Sequence, residues 1–248
     1  MGEIESKVAL VTGASRGIGR ACAIRLAECG YDVAVNYNSN EAKAAEVVSE
    51  IEALGRKAAA FKADTADLKA VQQMFRDVQK MFNQLDVLVN NAGVVDDAYL
   101  LMINEESLSR SLDINIKGYF HCAQQAALKM MGKKHGKIIN ISSVSSILAV
   151  EGQGVYSATK GAVNSMTATL AKELAPRGIT VNAVAPGFIE TEMMDAIPED
   201  KKEAYIKAIP MGHFGKAEDV ANVVSSLCSA AFDYVTGQVV VLDGGLSL

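Results

Sequence analysis

Several residue types that build metal or disulfide sites are scarce in this 248-residue sequence. It has no tryptophan, three histidines, four cysteines and four prolines. The cysteines Cys22, Cys29, Cys122 and Cys228 form no C-x-x-C pair, and the histidines form no H-x-x-x-H pair. We therefore expect neither a disulfide framework nor a metal site. Free thiols of this kind suit a reducing compartment, which predicts a cytoplasmic protein.

The sequence also lacks an excess of charge of one sign and any long apolar run. Lys and Arg number 24 against 29 Asp and Glu, which gives a net charge of -5. With seven Tyr and seven Phe, the chain has neither the basic stripe nor the aromatic platforms typical of nucleic-acid binding, so no nucleic-acid partner is expected. No apolar run approaches about 18 residues, and no basic stretch leads into an apolar one at residues 1–7, so we predict neither a membrane span nor a secretory signal.

What the sequence does contain is a regular alternation of short apolar runs with longer segments of helical periodicity. Alternation of this kind predicts an α/β fold in which parallel strands form one doubly wound sheet with helices on both faces. The predicted strands are 7–12, 31–36, 57–62, 85–89, 137–141, 179–184 and 239–242. The predicted helices after the first are 41–54, 68–82, 105–131, 155–174 and 217–230.

One long segment, 185–215, interrupts this alternation. Three of the four prolines fall in or at the edge of it, and it shows no helical or strand periodicity. Long irregular segments over a sheet often serve as lids. We therefore predict one domain, 1–248, with a substrate lid at about 186–215.

A glycine-rich turn follows the first predicted strand. Gly13, Gly17 and Gly19 have the spacing G-x-x-x-G-x-G, which differs from the common G-x-G-x-x-G fingerprint. Glycines at a strand-to-helix turn let the backbone approach a pyrophosphate, whose charge then meets the helix N-terminus. The turn predicts a dinucleotide site, although a purely structural glycine turn is an alternative.

Residues at the end of the second predicted strand indicate which nicotinamide dinucleotide, NAD or NADP, such a site would bind. Asn36, Tyr37 and Asn38 stand there, and none of them is the carboxylate that usually accepts a bond from a free ribose 2′-hydroxyl. Arg16 in the glycine turn could instead pair with a 2′-phosphate. The sequence favours NADP over NAD, unless Arg16 merely points to solvent.

Two residues on one predicted helix are candidates for acid–base catalysis. Tyr156 and Lys160 are four residues apart and share one helix face, and Ser143 follows the strand 137–141. A neighbouring ammonium favours the phenolate, which predicts a lowered pKa for Tyr156. Ser143 could hydrogen-bond a reacting oxygen while Tyr156 donates its proton, as reduction of a carbonyl requires. A lone Y-x-x-x-K pair on a solvated helix is the alternative.

Six motifs occur in order along the chain: Thr12-Gly13-x-x-x-Gly17-Ile18-Gly19, Asn90-Asn91-Ala92-Gly93, Asn115, Ser143, Tyr156-x-x-x-Lys160 and Pro186-Gly187. Together they resemble the short-chain dehydrogenase/reductase family. The resemblance spans nearly the whole chain and implies hydride transfer with NADPH/NADP+ on a seven-stranded Rossmann-type sheet. It implies that Tyr156 is the general acid, that Ser143 holds the carbonyl oxygen, that Lys160 tunes Tyr156 and binds the nicotinamide ribose, and that Asn115 holds a relay water.

The same resemblance extends the predicted cofactor contacts along the chain. Asp64 and Thr65 would meet adenine, Asn91, Ala92 and Gly93 would flank the adenosine ribose, and the segment after the sixth strand would meet the nicotinamide. The predicted cofactor contacts are Gly13, Ser15, Arg16, Gly17, Ile18, Gly19, Asn36, Tyr37, Asn38, Asp64, Thr65, Asn91, Ala92, Gly93, Tyr156, Lys160, Pro186, Gly187, Ile189 and Thr191.

Within the family, the softer sequence markers look like those of 3-oxoacyl-[acyl-carrier-protein] reductases. They include the stretches 36–44, 179–191 and 235–245. This resemblance implies reduction of a 3-oxoacyl thioester presented by an acyl carrier protein, as in fatty acid biosynthesis. It also implies that Lys134 and Arg177, near the mouth of the active site, contact the acidic carrier. Plain solvated charge is the alternative for both residues.

Three stretches depart from that subgroup. Residues 94–99 read Val-Val-Asp-Asp-Ala-Tyr where a Thr-Arg-Asp type sequence is usual, residues 151–154 read Glu-Gly-Gln-Gly, and His213 replaces a usual Arg. The first two border the substrate side. The acyl group could therefore belong to a polyketide or polyene pathway instead of ordinary fatty acid synthesis.

Two other functions remain open from the sequence. A free ketone or secondary alcohol could replace the thioester as substrate, and a non-catalytic NADP-binding regulatory module would share the fold. The resemblance further implies a homotetramer, formed through the helices at 105–131 and 155–174 and the C-terminal segment.

Overall fold

A computed structural model describes residues 6–191 and 199–248. Seven strands form its central sheet: β1 (Val8–Val11), β2 (Asp32–Tyr37), β3 (Ala58–Lys62), β4 (Val87–Asn90), β5 (Gly136–Ile141), β6 (Ile179–Pro186) and β9 (Val239–Leu242). The sheet is parallel throughout and has the order β3-β2-β1-β4-β5-β6-β9, which confirms the predicted fold class. The helices are α1 (Gly17–Glu28), α2 (Glu41–Ala53), α3 (Leu68–Phe82), α4 (Glu105–Leu112), α5 (Gly118–Met130), α6 (Gly154–Leu174), α7 (Glu199–Ala208) and α8 (Ala217–Cys228).

Alternate residues of the central strands pack into two cores, one on each face of the sheet. On β1, Ala9 and Val11 face a core that includes residues of α1, α2 and α8, while Val8 and Leu10 face a core that includes residues of α3, α5 and α6. All four side chains are almost completely buried. Burial on both faces explains why these strands read as continuous apolar runs, since a parallel sheet is covered on both sides.

The helix predicted at 105–131 is divided in the structure. Between α4 and α5, residues Asp113–Lys117 form a π-helical turn, in which the backbone is wider than in an α-helix. The fully buried Asn115 lies in this turn. Apolar periodicity continues across the break, so a pattern-based prediction does not detect one wide turn. Such turns are frequent at functional sites.

The segment predicted to be irregular contains regular structure where it is described. β7 (Ile189–Glu190) and β8 (Gly215–Lys216) form a short parallel pair, and α7 lies between them. The rings of Phe188 and Tyr205 stack with centroids 4.5 Å apart. The prediction missed α7 because its sequence is mostly charged and shows no apolar stripe. Residues 192–198 of the predicted lid lie outside the described residues, and the lid function stays a prediction.

Two further findings concern what the described residues do not contain. Within 6–191 and 199–248, none of the helices combines the length and apolarity needed to cross a membrane. In the same residues, no group of three or more His, Cys, Asp or Glu side chains is placed to hold a metal ion.

Candidate active site

The carboxyl ends of β1, β4 and β5 bring three of the predicted motifs to one edge of the sheet. The glycine turn follows β1, the Asn91-Ala92-Gly93 stretch follows β4, and Ser143 follows β5. These strands are neighbours in the sheet, because β1 pairs with β4 and β4 pairs with β5. Ligands of doubly wound α/β proteins bind outside the carboxyl ends of their strands, so this edge is where a site is expected.

The glycine turn packs directly against the stretch after β4. The Asn91 side-chain nitrogen donates to the backbone oxygens of Thr12 (2.9 Å) and Gly13 (3.2 Å). A Cβ on Gly19 would lie 2.4 Å from that nitrogen. Only a residue without a side chain allows this approach, which explains Gly19 without any ligand.

The start of α1 has the features of a phosphate site. Arg16 occupies the N-cap position in an extended conformation, and its side chain makes no capping hydrogen bond. The first N–H groups of a helix have no intrahelical partner, and they and the helix dipole favour an anion. Gly17 has a φ of 53°, which a non-glycine residue rarely adopts. The turn therefore fits a pyrophosphate, and the contacts of Ser15, Ile18 and the glycines with it stay predictions.

At the end of β2, the side chain of Asn36 serves the glycine turn. Its oxygen accepts from Gly13 N–H at 3.1 Å, and its nitrogen donates to the carbonyls of Phe61 (3.2 Å) and Ala63 (3.1 Å). The amide is buried and holds the turn in place. Tyr37 is also buried, whereas Asn38 is exposed. The predicted ribose contacts of these three residues stay predictions.

A cavity of about 310 Å³ lies beside the glycine turn, between α1, α2 and the start of α8. Arg16 and Lys43 line it, together with the acidic side chains Glu46 and Glu218. Arg20 also reaches the cavity but is bonded to both carboxylate oxygens of Glu50 at 2.7 Å. Lys43 lies in the first turn of α2, within the stretch 36–44 noted above, and no cofactor contact was predicted for it.

The turn after β3 holds the two residues predicted to meet adenine. Asp64 is half-buried and accepts from Ala66 N–H at 2.9 Å, while Thr65 is buried against α5. A Cβ on Gly118 would lie 2.8 Å from the Thr65 hydroxyl, and His121 donates from Nδ1 to the Thr65 carbonyl at 3.0 Å. Helix α5 therefore fixes this turn, and the adenine contact itself stays a prediction.

Lys160 lies in a buried polar pocket beneath Tyr156. Its ammonium donates to the Ile141 carbonyl at 2.8 Å and to the Tyr119 hydroxyl at 3.1 Å. The nitrogen is 5.7 Å from the centroid of the Tyr156 ring. Burial lowers the pKa of Lys160 to about 7, since desolvation disfavours the charged form. Tyr119, on α5, is a partner that the sequence analysis missed, because a tyrosine on an apolar helix face carries no distinguishing signal.

The sequence-based expectation of a lowered pKa for Tyr156 is wrong for this structure. Burial raises the pKa of the phenol, the hydrogen bond with Ser143 acts in the opposite direction, and the negative charge of Asp97 raises it further. The charge of Lys160 is not among the causes of this shift, and burial lowers the pKa of Lys160 itself. Tyr156 is therefore protonated at neutral pH, which is the form that a proton donor needs.

Ser143 is held between Tyr156 and the short helical turn that follows β5. Its hydroxyl oxygen accepts from Ser145 N–H at 3.1 Å, and the hydroxyl donates to the Ser145 oxygen at 3.2 Å. Only a small part of Ser143 is exposed. A hydrogen bond with Ser143 is among the causes that shift the pKa of Tyr156, so the structure places the two side chains close together.

Asn115 connects the π-helical turn to the loop after β4. Its side-chain oxygen accepts from Val94 N–H at 2.8 Å, and its nitrogen donates to Val94 O at 2.9 Å and to the Thr159 hydroxyl at 3.2 Å. A Cβ on Gly93 would lie 3.2 Å from the same oxygen. Asn115 therefore anchors the loop beside Thr159 and Lys160, and its role in holding a relay water stays a prediction.

The segment after β6 returns to the glycine turn. A Cβ on Gly187 would lie 2.7 Å from the Asp243 side chain, and a Cβ on Gly17 would lie 3.7 Å from Thr191 Cγ2. Pro186 ends β6 and Ile189 begins β7. The structure thus places this segment beside the phosphate end of the site, and its contacts with nicotinamide stay predictions.

Within one chain, Lys134 and Arg177 do not lie near the mouth of the active site, and their contact with a carrier stays a prediction. Lys134 and Arg177 do lie together, since a Cβ on Gly178 would come within 2.0 Å of the Lys134 carbonyl. They precede β5 and β6, however, and so lie at the amino ends of these strands. Ser143 lies beyond the opposite ends, roughly 20 Å away along β5. The spacing of motifs in a sequence does not reveal which edge of a sheet a turn occupies.

Fold and site together define an oxidoreductase with a Rossmann-type sheet and a Ser-Tyr-Lys centre. A family model described as Enoyl-(Acyl carrier protein) reductase matches residues 13–247. The 3-oxoacyl-[acyl-carrier-protein] reductase FabG of Staphylococcus aureus (strain N315) is 47% identical over 97% of this chain and 98% of its own. The 3-oxoacyl-[acyl-carrier-protein] reductase of Synechocystis sp. is 43% identical over 99% of both chains.

Solved structures agree with this class. A doubly substituted Serratia marcescens short-chain dehydrogenase/reductase superposes with a TM-score of 0.93 at 37% identity, covering 99% of both chains. An acetoin dehydrogenase from Enterobacter cloacae superposes with a TM-score of 0.90 at 37% identity, covering 98% of this chain and 96% of that one. The chain belongs to the short-chain dehydrogenase/reductase family.

Proposed function

We propose that this protein reduces a 3-oxoacyl thioester, carried on an acyl carrier protein, to the 3-hydroxyacyl thioester with NADPH. The observation that carries the proposal is the placement of Ser143 close to Tyr156, with the buried Lys160 nitrogen 5.7 Å from the centroid of the Tyr156 ring. The full-length similarity to curated 3-oxoacyl-[acyl-carrier-protein] reductases supports the choice of substrate.

The residues of the site have complementary tasks in this reaction. NADPH, when bound, would supply the hydride that the carbonyl carbon accepts. Tyr156 donates its phenolic proton to the carbonyl oxygen, so the C=O bond becomes CH–OH. Ser143 hydrogen-bonds the same oxygen and stabilises the charge that develops on it. Lys160 would bind the nicotinamide ribose, and its nitrogen lies 5.7 Å from the centroid of the Tyr156 ring, where it helps to orient the phenol.

The cavity at the glycine turn supports NADPH over NADH. Arg16 and Lys43 bring two cationic side chains to its wall, which also carries the carboxylates of Glu46 and Glu218, and none of the three residues at the end of β2 (36–38) is a carboxylate. A guanidinium matches the geometry of a phosphate, and an ammonium adds a second charge. Lys43 is therefore part of the proposed 2′-phosphate site along with Arg16.

Assembly and location belong to the same proposal. Large apolar side chains are exposed on α4 and α5 (Leu112, Phe120 and Leu128) and at the C-terminus (Leu248). Apolar side chains in such positions suit burial against further copies of the chain. We therefore propose a homotetramer in the cytoplasm, with the acyl carrier protein as a transient partner.

Reduction of a free ketone or oxidation of a secondary alcohol is the second candidate. The structural likeness to an acetoin dehydrogenase favours it, since acetoin is a small hydroxyketone. The catalytic residues would act in the same way on either substrate. The two functions differ only in what the protein recognises beyond the carbonyl.

A panel of substrates tests the proposal. NADPH oxidation is followed at the nicotinamide absorbance with an acetoacetyl group on carrier protein, with an acetoacetyl pantetheine-type thioester, and with acetoin or another free ketone, each repeated with NADH. We expect the highest kcat/KM with the carrier substrate and NADPH. Equal turnover of free ketones would contradict thioester reduction and support the second candidate function. Binding of NADPH with no turnover of any substrate would support the non-catalytic alternative.

A further inference from the structure

A chain of hydrogen bonds runs from Ser143 away from the catalytic centre to an exposed carboxylate. The Ser143 hydroxyl donates to Ser145 Oγ at 3.2 Å, and the Ser145 hydroxyl donates to Gln153 Oε1 at 2.7 Å. Gln153 Nε2 then donates to Asp97 Oδ2 at 3.1 Å. The mechanism described above assigns no role to Gln153, Asp97 or Ser145.

The two ends of this chain belong to loops that touch each other. Asp97 lies in the loop after β4, and Gln153 lies at the N-cap position of α6. A backbone hydrogen bond from Ala98 N–H to Gly152 O at 2.8 Å joins the loops next to the side-chain contact. These are the two stretches of substrate-side sequence that depart from the 3-oxoacyl reductase pattern, and the structure shows that they contact each other.

The Asp97 carboxylate sets the direction of each hydrogen bond in the series from Asp97 to Ser143. An ionised carboxylate only accepts, so Gln153 must turn its NH₂ toward Asp97 and its carbonyl oxygen toward Ser145. Ser145 must then donate to Gln153, which leaves its oxygen to accept from Ser143. The Ser143 hydrogen therefore points to Ser145, and the Ser143 oxygen accepts from Ser145 N–H and is available to accept from Tyr156.

We propose that Asp97 and Gln153 are positioning residues that hold Ser143 as a hydrogen-bond acceptor for the Tyr156 hydroxyl until substrate arrives. The hydrogen bond that lowers the pKa of Tyr156 is one in which Ser143 donates to the phenolate. That bond would require the Ser143 hydrogen to turn away from Ser145 Oγ, to which it now donates, and so would break the series of hydrogen bonds. The chain thus opposes premature ionisation of the proton donor. The carbonyl oxygen of the substrate then competes with Ser145 for the Ser143 hydrogen, so this inference rests on the proposed function.

The charges around Tyr156 agree with this assignment. Lys160 on its own helix, Tyr119 on α5, Ser143 after β5 and Asp97 from the loop after β4 are the titratable or polar groups of the described residues that face it. Asp97 raises the pKa of Tyr156 and so favours the protonated phenol. Its neighbour Asp96 accepts a hydrogen bond from Ser107 at 2.7 Å instead and takes no part in the chain.

The direct test compares Asp97→Asn with Asp96→Asn. An amide at position 97 removes the charge and can be either donor or acceptor, so it no longer fixes the direction of the chain. Reduction requires protonated Tyr156, and the rate therefore falls as pH rises through its pKa. We expect the alkaline limb of kcat, measured with an acetoacetyl pantetheine-type thioester and NADPH, to move to lower pH in Asp97→Asn only. Identical limbs in the two variants would overturn the proposal, since a loop that is merely destabilised does not shift a titration.

A second readout needs no substrate and separates this inference from the proposed function. The tyrosinate absorbance of the intact protein is titrated, and the same titration of Tyr156→Phe is subtracted to isolate Tyr156. We expect Asp97→Asn to lower the pKa of Tyr156 and Asp96→Asn to leave it unchanged. If the thioester is not reduced but this shift appears, the proposed function fails and the positioning role stands. If turnover is found without the shift, the positioning role fails alone.

Gln153→Leu tests the middle of the chain with a side chain of similar size. Loss of the amide should lower kcat by about 3- to 10-fold, the equivalent of one net hydrogen bond, with the Kd for NADPH unchanged. The alkaline limb should move in the same direction as in Asp97→Asn. An unchanged kcat and pH profile in a folded variant would exclude Gln153 from the chain.

Discussion

The ammonium of Lys160 lies 2.8 Å from the Ile141 carbonyl, at the end of the strand that leads to Ser143. One buried side chain thus ties α6, which carries Tyr156, to the end of β5. The contact therefore fixes the distance between Tyr156 on α6 and Ser143 after β5. This connection makes Lys160 important for geometry as well as for charge.

Replacement of Tyr156 should lower the rate of reduction and leave the binding of NADPH nearly unchanged. Tyr156→Phe keeps the ring and removes only the hydroxyl, so turnover should fall by about 10²- to 10⁴-fold. The Kd for NADPH, measured by fluorescence titration, should remain within a factor of about two, because the ring contributes no phosphate contact. Full activity in this variant would exclude Tyr156 as the acid.

The cations beside the glycine turn should discriminate between cofactors. Arg16→Ala and Lys43→Ala should each raise the KM for NADPH about tenfold, since each removes a charge-assisted contact with the 2′-phosphate, and should change the KM for NADH little. Lys69→Ala, in the first turn of α3, is the matched control. Equal effects on both cofactors would mean that neither residue reads the phosphate.

A methyl group at position 19 should disrupt the glycine turn. Gly19→Ala would place its Cβ 2.4 Å from both Asn91 Nδ2 and the Gly13 carbonyl oxygen. We expect a loss of about 1 to 3 kcal/mol in the free energy of unfolding and weaker binding of NADPH. Gly132→Ala is the control, because no heavy atom lies within 4 Å of its Cβ. Equal stability of the two variants in urea would contradict the close packing of Asn91 against Gly19.

The burial of Lys160 predicts a pH-dependent contribution to stability. Its pKa is lowered from 10.5 to about 7 in the folded protein, so between these pH values the unfolded chain binds more protons. The free energy of unfolding due to this group therefore rises with pH from about 7 toward 10.5. Buried thiols and phenols titrate in the same range, so the difference between the protein and Lys160→Met isolates the effect.

Urea unfolding at several pH values measures that difference. The free energy of unfolding of Lys160→Met, minus that of the unsubstituted protein, should be largest near pH 7 and should fall as the pH approaches 10.5. A difference that does not vary with pH would show that Lys160 remains charged in the folded state.

The sheet and the placement of Tyr156 and Lys160 on one helix face were predictable because their signals are local. Strands such as 239–242 are continuous apolar runs, and Tyr156 and Lys160 lie four apart on one helix, so periodicity alone places them on one face. The π-helical turn around Asn115, the bonds of Lys160 with Tyr119 and the contact between Asp97 and Gln153 depend on residues far apart in sequence. Sequence spacing does not contain these distances. The direction of the pKa shift of Tyr156 depends on burial, which is also a property of the whole fold.

The most direct test of the central claim is the mass of the reduced product. The protein is incubated with NADPH and either a 3-oxoacyl or a 2-enoyl thioester on carrier protein. The mass of the carrier-bound acyl chain is then measured by mass spectrometry. The account predicts a gain of about 2 Da, one hydride and one proton, on the 3-oxoacyl chain alone. A gain on the 2-enoyl chain with the 3-oxoacyl chain unchanged would contradict it.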